Sequence, residues 1–385
     1  MKLTLVTETF PPEVNGVAMT LHRLAGALAE RGHAVEVVRP RQWEGDGLAP
    51  TVFQEFLVPG WPCPGYPELK IGWPVYLRLK RRWRMHRPEI VHVATEGPLG
   101  LAALQAARAL EIPVSSSFHT NFHSYGKHYH VGFLARAGLG YFRWFHNRAA
   151  CTFSPSVDMI AALTEARFNN LHLMGRGVDT EMFNPARRDE ALRAEWGAGP
   201  TTPVAMCVGR LAAEKNLPLV AETFAGLRAQ RPDLKLVLVG DGPLRGALQR
   251  KFPGVYFAGV QRGEDLARYY ASGDLFLFAS VTETFGNVVT EAMASGQVVV
   301  AYDYAAPRAH VRDGDNGFLA TFDDAAAFRK AAARSLECEA QWPKLRNAAR
   351  KTALGLSWDR VVDGFENVVG ALARQPIADV CVTNG

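Results

Sequence analysis

The chain of 385 residues lacks any apolar run near the ~20 residues needed to cross a bilayer, so we expect a soluble or peripheral protein. The N-terminal stretch is interrupted by prolines too soon to form a signal peptide. No C-x-x-C pair is present, and the cysteines are odd in number and scattered: Cys63, Cys151, Cys207, Cys338 and Cys381. This usage argues against a disulfide framework or a zinc site and is typical of reduced thiols in the cytoplasm.

The chain also lacks a strong excess of either charge: its net charge is +5 and its pI is about 9.0. Such a balance permits anionic partners without requiring them. The basic residues are not accompanied by a recognisable nucleic-acid module, so nucleic acid is not expected as a partner. A chain of this length exceeds the usual limit for one hydrophobic core, and two domains of similar size are expected.

Short apolar strands alternate with helical patterns in two series. They are predicted at 3–7, 34–39, 90–93 and 114–118, then at 204–208, 234–239, 255–257, 275–278 and 298–302. This alternation predicts two α/β domains, each a doubly wound parallel sheet covered on both faces. A Gly-rich segment at 175–185 is predicted to connect the two domains, which are predicted at 1–180 and 181–357. A C-terminal helix at 358–374 is predicted to pack back on the first domain. The tail after about residue 375 is predicted to be disordered.

The segment 280–296 carries the strongest chemical signal. Glu283 and Glu291 flank a Gly-Asn step that should open a helix after a buried strand. The first amides of a helix lack internal partners and bind anions, whereas carboxylates suit sugar hydroxyls. Such a loop suits a molecule with phosphates in the middle and hydroxyls at both ends, as in a sugar nucleotide. The alternative is a surface helix whose N-terminus carries ordinary acidic residues.

This segment resembles the E-x7-E signature of the retaining glycosyltransferases of family 4, which have the GT-B fold of two Rossmann-like domains facing across a cleft. The residues that also match are Phe285, Gly286, Ala292, Met293, Ser295 and Gly296. The resemblance implies that Glu283 binds the donor sugar and Glu291 the ribose. It further implies that the intervening amides hold the diphosphate, namely those of Phe285, Gly286, Asn287 and Val288.

Two cations follow the first strand of the second series. Gly209 frees the backbone there, and Arg210 and Lys215 can converge on a diphosphate. The segment resembles the family's G-R-L-x-x-E-K stretch, whose arginine and lysine neutralise the donor phosphates. A solvated basic loop is the alternative.

Three further positions end strands. Gly242 lies in a G-x-G-P segment that could pass for a dinucleotide fingerprint, but the acidic residue expected about 20 positions later is missing. The family carries a G-x-G-P segment at this point, and the resemblance implies a turn and helix start that bring the Gly242 backbone near the donor. Gly16 and His119 match a loop glycine and a histidine of the family, which implies contact with the donor diphosphate and sugar, although Gly16 can equally be a plain turn glycine. His123, His128 and His130 have spacings that fit no standard zinc helix, so no metal site is expected.

Basic and aromatic residues alternate over 76–87 and 141–148, and such helices can lie on anionic bilayers. Ordinary amphipathic helices with core-facing aromatics are the alternative. The segments at 118–122 and 177–179 resemble those of mannosyltransferases and glycolipid-forming members. The resemblance implies a lipid or glycan acceptor and a cytoplasmic protein, peripheral on the inner face of the cell membrane.

The resulting hypothesis is a retaining transfer of a hexose from GDP-mannose or a UDP-hexose to an acceptor hydroxyl, with no metal or other cofactor. Arg210, Lys215, Glu283 and His119 are the predicted catalytic residues. A nucleotide-sugar epimerase or hydrolase, or a non-catalytic sugar-nucleotide-binding protein, are the alternatives. The sequence leaves the donor base, the sugar, the acceptor and the oligomeric state open.

Overall fold

The computed structural model describes residues 1–13, 16–43, 46, 51–63, 66–119, 132–283 and 285–374. The chain forms two compact units, one from Met1–Gly175 with the segment that starts at Asp359, and one from Arg176–Trp358. Each unit holds one parallel sheet with helices on both faces. The predicted pair of doubly wound α/β domains is confirmed.

Within its described residues, the first unit contains nine strands. They are β1 Lys2–Val6, β2 Ala34–Pro40, β3 Gln54–Val58, β4 Gly60–Cys63, β5 Tyr66–Gly72, β6 Ile90–Val93, β7 Val114–Ser117, β8 Cys151–Ser154 and β9 Leu171–Leu173. Seven form a sheet in the order β3-β2-β1-β6-β7-β8-β9, and β4 and β5 form a separate antiparallel pair. The helices are α1 Gly16–Glu30, α2 Tyr76–Met85, α3 Pro98–Arg108, α4 Gly132–His146 and α5 Val157–Glu165.

Side chains of this sheet alternate between two cores. Leu3 and Leu5 of β1 pack in the core that includes α1, whereas Val6 packs in the core on the opposite face. Successive side chains of a strand point to opposite faces, and both faces are covered here, so β1 has to be apolar almost throughout.

The second unit has a sheet of six parallel strands in the order β12-β11-β10-β13-β14-β15. The strands are β10 Val204–Val208, β11 Lys235–Val239, β12 Tyr256–Gly259, β13 Leu275–Phe278, β14 Val298–Tyr302 and β15 Gly317–Ala320. The helices are α6 Glu190–Glu195, α7 Leu217–Arg228, α8 Arg245–Lys251, α9 Gly263–Ser272, α10 Asn287–Ala294, α11 Ala305–His310, α12 Ala325–Glu337 and α13 Trp342–Leu354. Short 3-10 turns lie at Pro185–Arg187, Ala213–Lys215 and Glu339–Gln341.

A buried carboxylate holds one end of this second sheet. Asp274 precedes β13, accepts a hydrogen bond from the Val204 amide at 2.8 Å, and pairs with Arg193, Arg188 and Arg346. Burial alone would raise the pKa of Asp274, but the three guanidinium groups outweigh burial and lower it. The carboxylate is therefore held charged with hydrogen bonds to both of its oxygens, which lowers the cost of burying the charge.

The chain crosses between units at the start of the predicted Gly-rich segment. The division falls at 175/176 rather than at 180/181. Residues 176–182 belong to the second unit because the Val178 amide donates to the Leu356 carbonyl at 2.9 Å and Arg350 donates to the Thr180 carbonyl at 3.0 Å. The C-terminal helix, α14 Trp358–Arg374, buries Val362 and Phe365 in the core of the first unit.

Candidate active site

The order of strands in the second unit decides where a ligand can bind. In the sequence β12-β11-β10-β13, the direction of winding reverses between β10 and β13. Open parallel sheets bind ligands outside the carboxyl ends of the strands at such a reversal. The loops that follow β10 and β13 begin at Gly209 and Ala279, and they carry six of the ten predicted catalytic and binding residues of this unit. Three more lie in the helix after the second loop, and Gly242 follows β11.

Glycines let these loops approach one another closely. Gly240 follows β11 with φ +135°, and a Cβ there would lie 2.0 Å from the carbonyl oxygen of Gly209. No other residue fits that backbone contact. Gly242 lies two positions further on, and its amide donates a hydrogen bond to the Asp241 carboxylate at 2.7 Å. A Cβ at Gly242 would clash with the Leu211 backbone.

The two predicted cations are each paired with a carboxylate. Arg210 is 62 % exposed and donates to Glu214 at 2.6 Å. Lys215 pairs with Glu283, and its ammonium lies 5.8 Å from the centre of the Phe278 ring. The lysine therefore contacts the predicted sugar-binding glutamate directly, whereas the arginine is bound within its own loop.

Hydrogen bonds join the lysine loop to the glutamate loop. The Glu214 carbonyl accepts from the Val281 amide at 3.1 Å and from the Ser280 hydroxyl at 3.2 Å. Tyr304 donates its hydroxyl to the Glu283 carbonyl at 2.8 Å. These bonds hold the backbone next to Lys215 against the loop that carries Glu283, which places the two side chains side by side.

Helix α10 opens beside this pair. Gly286 is its N-cap with φ +99°, a left-handed conformation that favours glycine. Among the residues that the structure describes, none accepts a hydrogen bond from the backbone amides of Gly286, Asn287 or Val288. These are the amides of a first helical turn, which can hold an anion. The Phe285 ring itself is buried in the core, and its carbonyl accepts from the Ala306 amide at 2.8 Å.

Glu291 lies one turn further along α10. Its carboxylate accepts a hydrogen bond from the Tyr270 hydroxyl at 2.9 Å. Burial raises the pKa of Glu291 to about 7, although the Tyr270 hydrogen bond acts in the opposite direction. The carboxyl group therefore carries a proton for part of the time at neutral pH, and it can accept from or donate to a hydroxyl.

The remaining predicted residues lie in the first unit. Gly16 begins α1, and its carbonyl accepts from the Thr20 hydroxyl at 2.6 Å. His119 follows β7 by two residues and is half-buried. His123, His128 and His130 lie outside the described residues. Within the described part of the chain, no group of three His, Cys, Asp or Glu side chains could hold a metal ion.

Two tyrosines of the site and one ion pair were not predicted from the sequence. Tyr270 and Tyr304 support Glu291 and Glu283 from helices or loops far away along the chain, and nothing in the local pattern marks them. Glu214 was visible within the E-K step of its motif, but its pairing with Arg210 depends on the 3-10 turn that places the two side chains together.

Comparisons with known proteins fit this geometry. A model described as Glycosyltransferase Family 4 matches residues 14–182, and one described as Glycosyl transferases group 1 matches residues 202–338. A GDP-mannose-dependent alpha-mannosyltransferase of Mycolicibacterium smegmatis is 35 % identical over 96 % of this chain and 98 % of its own. The chain belongs to the family 4 glycosyltransferases.

More distant relatives agree in fold and general activity. An alpha-monoglucosyldiacylglycerol synthase of Streptococcus pneumoniae is 27 % identical over 78 % of this chain and 71 % of its own. The crystal structure of Anabaena HepE in complex with UDP superposes with a TM-score of 0.78 at 19 % identity, covering 96 % of this chain and 100 % of that one. The GT-B fold is therefore shown, and membership of a transferase family disfavours the epimerase, hydrolase and binding-protein alternatives.

Proposed function

We propose that this glycosyltransferase transfers mannose from GDP-mannose to a hydroxyl of a lipid or glycolipid acceptor, with retention of the anomeric configuration. The observation that carries the proposal is the contact of Lys215 with Glu283 beside the open amides of α10, at the reversal point of the sheet. The mannosyl donor is supported by the relative that is 35 % identical over nearly the whole chain. The lipid acceptor is supported by the diacylglycerol-glucosylating relative.

The proposed donor roles follow from charge. The diphosphate would rest on the α10 amides and draw the ammonium of Lys215 away from Glu283. Glu283 would then be free to accept hydrogen bonds from the hexose hydroxyls. Arg210 would exchange Glu214 for a phosphate oxygen, and its exposure makes that exchange easy. Glu291 would accept the ribose hydroxyls in place of Tyr270.

The proposed reaction breaks the bond between the sugar C1 and the diphosphate oxygen and forms one from C1 to the acceptor oxygen on the same face. The acceptor proton passes to a donor phosphate oxygen. Negative charge grows on the leaving diphosphate, and fixed cations and amides stabilise it most effectively in the transition state. Lys215, Arg210 and α10 supply those groups, so we propose that no divalent cation is required. Undiminished turnover in excess EDTA is the expected result.

A donor panel tests the substrate assignment. Radiolabelled GDP-mannose and UDP-glucose are offered with a membrane lipid extract, and transfer into the organic phase is counted. We expect GDP-mannose to be used and UDP-glucose to be poor. The opposite preference would show that the protein transfers glucose from UDP-glucose by the same chemistry. Release of free sugar from both donors, without labelled lipid, would contradict the transferase proposal.

We also propose that the first unit rests on an anionic membrane. Leu79 and Trp83 of α2 face the core, but Arg78, Arg81 and Arg84 are exposed on its outer side. Exposed apolar side chains lie on and near the same helix, namely Trp61, Trp73, Leu77 and Met85. Cations with interfacial aromatics are typical of surfaces that bind acidic lipids. No helix of the described residues is long and apolar enough to cross a membrane.

Vesicle co-sedimentation tests the membrane surface. Arg78→Glu with Arg81→Glu should release the protein from phosphatidylglycerol vesicles, because each cation near the surface contributes about 1 kcal/mol. A matched control is Arg250→Glu with Lys251→Glu, at the exposed end of α8 in the second unit. Equal binding by both variants would remove the α2 surface from the proposal.

A further inference from the structure

The first unit contains a cavity of about 680 Å³ that the donor chemistry does not use. Its walls are mostly apolar, with one carboxylate and one amide side chain, and the lining residues include Pro74, Tyr76, Glu96, Pro98, Leu101 and Tyr141. Small-molecule sites in proteins have similar volumes and a similar mixture of apolar walls with few polar groups.

The position of this cavity in the sheet is that of a ligand site. The strand order β2-β1-β6-β7 reverses its winding between β1 and β6. Glu8 follows β1 and Glu96 follows β6, so both carboxylates lie at the carboxyl ends of the two strands where the reversal occurs. The rule that places the donor site in the second unit therefore points to this edge of the first unit.

Glu96 is held in place by a chain of buried polar groups. Its Oε1 lies 3.0 Å from Nε2 of His146, whose Nδ1 lies 2.9 Å from the Ser116 hydroxyl. Tyr141, which also lines the cavity, donates its hydroxyl to the Glu96 carbonyl. His146 is fully buried, and the side chain of Glu96 is 11 % exposed. Such an arrangement fixes one carboxylate oxygen and makes His146 a positioning residue.

Glu8 does not line the cavity, but its carboxylate lies beside Gly97, which does. Its Oε1 accepts from the Leu99 amide at 3.0 Å, in the first turn of α3. A Cβ at Gly97 would lie 1.8 Å from Glu8 Oε2, so only glycine allows this contact. Burial raises the pKa of Glu8 to about 7, and the charge of Glu96 adds to the rise. The two carboxyl groups are close enough to repel, which disfavours an anionic ligand beside them.

We propose that this cavity seats an uncharged, hydroxyl-bearing head group of an amphiphilic acceptor, with one hydroxyl donating to Glu96. The apolar part of the ligand packs on Leu101 and Pro98. This inference rests on the proposed function and deepens it, since it names the acceptor class and the residue that selects it. Lys80 does not line the cavity, and its ammonium donates to the Tyr76 hydroxyl at 3.1 Å.

The surroundings of the cavity suit the apolar tail of such a ligand. Trp73 and Leu77 flank the lining residues Pro74 and Tyr76, and they are 52 % and 76 % exposed. The Trp73 ring lies 6.3 Å from that of Trp61. Exposed large apolar groups beside a pocket mark a surface for an apolar partner. An alkyl chain that leaves the cavity would meet these side chains.

The test uses octyl glucoside below its critical micelle concentration, with octyl sulfate as the anionic probe of equal chain length. Binding to the full chain is measured by saturation-transfer NMR and calorimetry. We expect the glucoside to bind and the sulfate to bind at least tenfold more weakly. Leu101→Trp fills the cavity and should abolish glucoside binding. Leu110→Trp is the matched control, because Leu110 is equally half-buried against the same core and does not line the cavity.

Glu96→Gln separates hydroxyl recognition from general apolar binding. This variant should bind octyl glucoside about tenfold more weakly than wild type, as expected for loss of a charged hydrogen-bond acceptor. The difference in affinity between octyl glucoside and octyl sulfate should therefore become smaller. The proposal is overturned if wild type does not bind octyl glucoside, or if Leu101→Trp binds it as tightly as wild type does. It is also overturned if Glu96→Gln keeps the wild-type preference for the glucoside over the sulfate. A chain that binds glucoside in this way but binds no nucleotide would refute the proposed function and leave the cavity assignment intact.

Discussion

The raised pKa of Glu291 makes a stability prediction that needs no substrate. In the folded protein this carboxyl group has a pKa of about 7, whereas the ordinary value is 4.5. A raised pKa in the folded state means that the neutral form is favoured on folding. The stability of wild type with a protonated Glu291 is therefore fully present below the unfolded pKa, and it is lost as pH rises from about 4.5 through about 7.

Glu291→Gln removes the charge and retains an acceptor for the Tyr270 hydroxyl. The variant should be more stable than wild type at high pH, because wild type then buries an ionised carboxylate. A shift of this size corresponds to about 1 kcal/mol at pH 5.5 and about 3 kcal/mol at pH 8.5. The difference between the two pH values, about 2 kcal/mol, corresponds to roughly 4–8 °C in Tm for a unit of this size.

The assay is thermal and urea unfolding of the full chain across this pH range. Glu337→Gln is the matched control, because Glu337 is exposed on α12 in the same unit and should show no pH-dependent difference. A Glu291→Gln variant that is less stable than wild type by the same amount at every pH would refute the reasoning. Its carboxylate would then be charged throughout and stabilised by contacts other than Tyr270.

Four further substitutions have expected outcomes. Asp274→Asn should destabilise the second unit by about 3 kcal/mol or more in urea unfolding, since it leaves three arginines around a neutral group. Gly240→Ala should destabilise by roughly 1–3 kcal/mol because its Cβ meets backbone, whereas Gly226→Ala, with open space around it, should stabilise by up to about 1 kcal/mol. Glu283→Gln should raise GDP affinity up to about fivefold in calorimetry by releasing Lys215, while sugar transfer falls; unchanged GDP affinity would show that the pair does not compete with the diphosphate.

The sequence predicted those parts of the fold that depend on local pattern. β10, β13 and β14 lie at the predicted residues, since each is a run of four or five consecutive apolar residues, which is typical of a strand buried on both faces. By contrast, β8 was missed because Thr152 and Ser154 interrupt its apolar pattern. Thr152 is satisfied by the Ser116 hydroxyl at 2.9 Å, a partner on another strand that no local pattern shows.

The candidate site divides in the same way. The glycines and charged residues near the reversal point could be located from motifs, because each follows a predicted strand. The pairings could not, since Lys215 meets Glu283 only after β10 and β13 become neighbours. The cavity beside Glu96 could not be predicted from the sequence either. It depends on His146 and Tyr141 of α4, 45 or more residues away along the chain.

The turnover of Lys215→Ala and Arg210→Ala tests the central claim, that cations of the second unit stabilise the leaving diphosphate. With GDP-mannose and a lipid acceptor, kcat should fall on the order of 10²–10³-fold for Lys215→Ala, as for other groups that stabilise charge in a transition state. Lys251→Ala, an exposed lysine of α8, should retain the wild-type rate. Turnover near that of wild type in both site variants would contradict the account.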